Sequence, residues 1–140
     1  MSSPTGAPRP SFFARHPLLS VALVALGVRL LYLLSLRSSP FFTVPVVDAE
    51  TYVTMGRAIA AGDWAGGRTV YWQPPLYPYL LALGFRLGLG PLGIRLVQFG
   101  VGIATAVLLA KLGRRFGGER VGLLAGLAGA LYGPMLFFEG

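Results

Sequence analysis

Apolar and polar positions fall in long blocks along this chain, a pattern of membrane-crossing helices rather than of half-buried strands. Leu18 to Leu36 is a long apolar run with one charge, at Arg29. At 1.5 Å per residue it reaches about 28 Å, close to the roughly 30 Å of a bilayer's hydrocarbon core. It exceeds the apolar core of a signal peptide, and Ser35-Leu36-Arg37 is a poor cleavage site. The block from Arg37 to Pro75 is mixed and polar, with Pro40, Pro45, Gly66-Gly67 and Pro74-Pro75. Inside it, Ala49 to Ala61 has helix-forming composition and follows Asp48, a favourable N-cap. Leu76 to Leu87 is apolar but too short to cross, which suits an interfacial or re-entrant helix. Its Tyr77 and Tyr79 suit the headgroup level. Leu92 to Leu112 is a second span, with Arg95, Gln98 and Lys111 as its polar interruptions. Gly113 to Arg120 reads as a tight basic turn. Val121 to Phe138 is a third, uncharged span, with Gly122/Gly126 and Gly129/Gly133 as close-packing pairs and Pro134 kinking its end.

The pattern therefore predicts an all-α, multi-span helical membrane protein. Spans run at 18–36, 92–112 and 121–138, joined by an outer loop at 37–91 that carries interfacial helices. Residues 1–17, with Pro4, Pro8, Pro10 and Pro17, read as a disordered cytoplasmic tail.

Composition agrees: 54% hydrophobic and 12% charged, about half the charge of an average soluble domain. The absence of cysteine excludes disulfides, thiolate metal sites and cysteine nucleophiles. The single histidine, His16, excludes most imidazole chemistry. The net charge of +7 does not point to nucleic acid, because the basic residues flank apolar runs instead of clustering with aromatics. It sets orientation. Arg9, Arg15, Lys111, Arg114, Arg115 and Arg120 lie in short segments, whereas those of the long loop are diluted beside acids. The N-terminus and the basic turn belong in the cytoplasm. Asp48, Glu50, Asp63 and Glu139 belong outside.

Those outward acids are the candidate chemistry. A carboxylate ionised at neutral pH can take a proton from a hydroxyl or amine acceptor, which is the role open to Asp48; an N-cap is its other role. Glu50 points to a different helix face. Together the two could hold a divalent cation, although two carboxylates without a histidine are a weak ligand set. Tyr52 lies one turn after Asp48 and either lines the same pocket or packs at the interface. Arg29 is costly in mid-span, which leaves contact with a phosphate or buried acid, or snorkelling. Gln73-Pro74-Pro75 is a rigid turn feeding the aromatic helix. Arg57, Arg68 and Arg86 either meet a phosphate or lie near anionic lipid. No Walker loop, GxGxxG or serine elbow is present.

Three segments in this order resemble the N-terminal part of the GT-C glycosyltransferases, of the dolichyl-phosphate-mannose protein mannosyltransferase and aminoarabinose transferase type. Asp48-Ala49-Glu50-Thr51-Tyr52 is similar to that family's acidic pattern followed by Tyr. Gln73-Pro74-Pro75-Leu76-Tyr77-Pro78-Tyr79 looks like its H-P-P-L-Y segment. Arg95 through Leu124 looks like its second span, basic turn and following span. The third span here ends in Glu139, and family members often carry an acid where the chain re-emerges. The resemblance implies inverting transfer of a sugar from a polyprenyl-phosphate donor to an acceptor outside the cytoplasm. Asp48 would be the catalytic base. Glu50, Tyr52, Arg29, Gln73, Pro74, Pro75 and Glu139 would be supporting, substrate-binding positions. Gln73 departs from the family's His, and the family has many more spans. The chain is accordingly expected to be an inactive fragment carrying part of a site, seated in a bacterial inner membrane. The rival expectation is a non-catalytic three-span protein that packs against partner helices.

Overall fold

The computed structural model describes residues 16–37, 48–65 and 74–139. The tail through Arg15, the Gly66-Gly67 pair, Arg68 and Gln73 lie outside the described residues. Helix makes up 87% of those described, and they contain no strand. The helices are α1 (Pro17–Leu36), α2 (Asp48–Ala60), α3 (Leu76–Arg86), α4 (Pro91–Leu131) and α5 (Gly133–Glu139).

Two of them, α1 and α4, are long and apolar enough to cross a membrane. Their most apolar stretches are only 28% and 17% buried. A soluble protein hides such helices in its core, whereas these leave rows such as Leu19, Leu23, Leu26 and Leu30 open. The described residues are all-helical, as expected, and two of their helices are candidate membrane spans where the pattern gave three.

The chain divides into two compact units. The first comprises residues through Arg29 together with Gly102–Leu136. Here α4 doubles back at Gly118, whose φ of 79° and ψ of −174° lie in a region essentially reserved for glycine. The expected turn over 113–120 is therefore much narrower. Helix persists on both sides of Gly118, because the two arms need only this one residue to reverse. Small residues set how closely the arms approach. A Cβ on Gly122 would lie 2.7 Å from the Ala110 carbonyl oxygen, and one on Gly126 would lie 2.7 Å from the Ala110 Cβ and 2.9 Å from Val21 of α1. Gly129 is filled in the same way by Leu109. Around these contacts Val21, Ala25, Ala106, Ala110 and Ala130 form an aliphatic cluster, beside buried Ser20 and Arg29.

Two further expectations are corrected. The third span does not run unbroken over 121–138, since the helix stops at Leu131 and α5 starts at Gly133. Pro134 lacks the N–H that would bond to the Ala130 carbonyl, so the helix cannot continue through it. Gly133 was paired with Gly129 as a packing face, yet nothing approaches within 4 Å of its missing Cβ.

The second unit comprises Leu30–Val101 and residues from Phe137. Its centre is α2 against α3, and each helix is closed by the same C-terminal device. In α2, Gly62 donates to the Ile59 carbonyl at 3.0 Å and Asp63 to Ala58 at 3.0 Å. In α3, Gly88 donates to Phe85 at 3.0 Å and Leu89 to Gly84 at 2.9 Å. These are Schellman caps, with a positive-φ glycine just past the helix. The bounds Asp48–Ala60 and Leu76–Arg86 match the expected 49–61 and 76–87 within one residue. Asp48 occupies the first helical turn instead of preceding it.

Candidate functional site

The register of α2 on α3 decides what the second unit can do. Tyr52 meets Tyr77 edge-on, with ring centroids 5.1 Å apart. One turn further along each helix, Gly56 lies under Leu81; a Cβ there would sit 2.8 Å from that of Leu81 and 3.3 Å from the Pro78 carbonyl oxygen. Further on, the Arg57 guanidinium lies 5.8 Å from the Phe85 ring centre, and Arg86 Nε donates to the Ala60 carbonyl at 3.2 Å. Early residues meet early and late meet late, so the helices run parallel. Parallel packing sets both N-termini at one end of the pair. There, Asp48 and Glu50 lie exposed in the first turn of α2, and exposed Pro74 and Pro75 lead into α3.

Pro75 is the N-cap of α3, at φ −76° and without a side-chain cap bond. Its ring presets the helical φ of the first turn. Asp48, Tyr52 and Gly56 recur every four residues, on one stripe of α2. Tyr52 and Gly56 of that stripe touch α3, so Asp48 extends the stripe beyond the aromatic pair.

Beneath the pair, the first part of α4 contributes a polar floor. Gln98 Nε2 donates to the Tyr77 hydroxyl at 2.8 Å. Burial pushes the Tyr77 hydroxyl above its ordinary pKa, and Tyr52 adds in the same direction; the Gln98 bond and the Arg95 charge partly offset this. Arg95 also acts on Tyr32 of α1, in the same unit. Arg95, Gln98 and the Tyr77 contact were legible in the sequence only as interruptions of an apolar span and as an interfacial tyrosine. Their spacing relative to Asp48 depends on the α2–α3 register, which carries no local signal.

Other expected positions fall differently. Glu139 is half-buried and belongs to the same unit as Asp48. Arg29 belongs to the other unit and is fully buried. Its guanidinium donates to the Ala25 carbonyl one turn back, at 3.3 Å, so it does not snorkel toward Arg37. Gln73 lies outside the described residues. Arg57 and Arg86 sit at the far end of the pair from Asp48, Arg57 about 14 Å along the axis. There Arg86 also stacks on Trp64 at 5.4 Å. Neither is placed to serve Asp48. Among the described residues no cluster of three metal-ligating side chains occurs. No family model, curated protein or solved structure matches the chain.

Proposed function

We propose that this chain serves a membrane glycosyltransferase of the GT-C type. It would move a sugar from a polyprenyl-phosphate donor to an acceptor on the non-cytoplasmic side of a bacterial inner membrane, with the N-terminus in the cytoplasm. One observation carries the reading: the paired N-termini of α2 and α3, with an exposed Asp48 beyond an aromatic and amide floor. In this scheme the Asp48 carboxylate takes the proton of the acceptor hydroxyl or amine. The acceptor atom forms its bond to the anomeric carbon from the face opposite the lipid phosphate. The anomeric C–O bond breaks, and the phosphate leaves with the electron pair. Helix N-termini attract anions, so the two parallel ends favour that phosphate. Arg95 acts electrostatically on Tyr77 and supplies a cation to the same floor. Glu50, Tyr52, Pro74, Pro75 and Glu139 line the acceptor side, and Gln73 and Arg29 are supporting positions by the resemblance.

The test is transfer of isotope-labelled sugar, from a panel of polyprenyl-phosphate sugars, by the protein in its own membrane. Asp48→Asn should lower transfer about 10²–10⁴-fold, the usual range for a lost general base. Asp63→Asn, at the other end of α2, should leave it unchanged. Near-normal transfer by Asp48→Asn would remove Asp48 from the base role.

The alternative is a non-catalytic three-span protein that packs against partner helices. Gly126 and Gly129 are filled by Val21, Ala110 and Leu109 of the same chain, which leaves no glycine face there for a partner helix.

A further inference from the structure

At the reversal of α4, in the first unit, charge and apolar surface coincide in a way that neither folding nor sugar transfer uses. Lys111, Arg114 and Arg115 recur at i, i+3 and i+4, the spacing of one helix face. Gly118 then folds the chain so that Arg120 starts the opposing arm. All four are exposed. The acid at this turn, Glu119, is engaged by Arg114 at 3.3 Å. Lys111, Arg115 and Arg120 keep an uncompensated positive charge, with no ion pair among the described residues. Between Arg115 and the turn stands Phe116, 81% exposed, the most open large apolar side chain described.

A phenyl ring open to water among cations is unfavourable, whereas the same ring at the boundary of headgroups and acyl chains is favourable. The neighbouring elements put the turn at that depth. Pro17 and Leu18, which open α1, line one shallow depression with Arg114, Glu119, Gly122 and Leu123. The turn is thus level with the end of an apolar helix instead of standing out from it.

We infer that the Gly118 turn is a docking site for anionic phospholipid headgroups. Arg115, Arg120 and Lys111 hold the phosphates, and Phe116 inserts beside them. This rests on α1 and α4 spanning a bilayer and is independent of sugar transfer. A basic residue near an anionic surface contributes about 1 kcal/mol, or about fivefold in association.

The test uses the full chain in bilayers of phosphatidylcholine, with spin-labelled phosphatidylglycerol and phosphatidylcholine as probes for relative association at the protein surface. Phosphatidylglycerol should be preferred severalfold, and the preference should shrink as salt is raised. Lys111→Gln with Arg115→Gln and Arg120→Gln should remove it. Arg37→Gln, an exposed charge after the other end of α1, should keep it. An undiminished preference in the triple variant, or an equal loss in Arg37→Gln, would overturn the assignment. So would a salt-independent preference in the parent, which needs no variant to fold. Failure of the parent to enter neutral bilayers would overturn the spanning reading, and the docking site with it.

Discussion

The two units hold their helices together by different means. The first closes on small residues. Gly122, Gly126 and Gly129 let backbones approach until single methyl groups and carbonyls fill the gap, and its core is alanine and valine. The second closes on large and polar groups: a Tyr52–Tyr77 pair, cations over Phe85 and Trp64, and a Gln98 amide on a phenol. Small-residue packing suits helices in lipid, where hydrophobic association is unavailable and close van der Waals contact must substitute. Aromatic and hydrogen-bonded packing suits an interfacial site, where one end is wet. The difference separates a scaffold closed mainly on small residues from a unit that adds aromatic and hydrogen-bonded contacts to the close approach of Gly56 under Leu81.

This contrast can be broken in graded steps. Gly126→Leu should be the most damaging, because the added side chain meets Ala110 and Val21 at once. A loss of about 3 kcal/mol or more, at the upper end of overpacking costs, should appear in denaturant unfolding in micelles. Gly133→Leu, in open space, should be near neutral. Next comes Gly118→Ala, which forces a side chain into a glycine-only region and should cost about 1–3 kcal/mol, with helix content largely retained by circular dichroism. Smaller again is Tyr77→Phe in the second unit. It takes the acceptor from Gln98 for about 1 kcal/mol and should spare the first unit, as hydrogen exchange can resolve.

Tyr77 also sharpens the comparison through pH. Its pKa in the folded chain is raised, chiefly by burial, so the unfolded chain gives up this proton first. The stabilisation is complete below about pH 10, the unfolded tyrosine value, and is lost as pH rises through the higher folded value. Unfolding measured from neutral to strongly alkaline pH should show this decline in the parent. Tyr77→Phe should lack that component.

Much of the helical architecture was readable from sequence, because long apolar runs and helix-forming composition carry strong local signals. Asp48–Ala60 and Leu76–Arg86 fell within a residue of expectation for that reason. The errors fell where geometry replaces composition. GRRFGGER reads as a tight turn over its whole length, yet one glycine at positive φ suffices for the reversal. Gly129 and Gly133 look equivalent at four-residue spacing, yet only Gly129 meets a neighbour. The helix break at Tyr132 separates them. At the site, Asp48, Glu50, Tyr52 and the Pro74-Pro75 turn were visible as residue types. The parallel register of α2 on α3, and the contact of Gln98 with Tyr77, are long-range properties that leave no trace in any one segment.

From the positive-inside pattern of the sequence we propose that the acidic start of α2 lies outside the cytoplasm and the basic Gly118 turn inside it. A cysteine-free chain makes this directly measurable, since any introduced thiol is unique. Ala49→Cys and Glu119→Cys, each at an exposed position, should be treated in intact cells with a membrane-impermeant maleimide. The account predicts labelling of Ala49→Cys from outside and of Glu119→Cys only after permeabilisation. Labelling of Glu119→Cys in intact cells, or protection of Ala49→Cys until the membrane is opened, would contradict it.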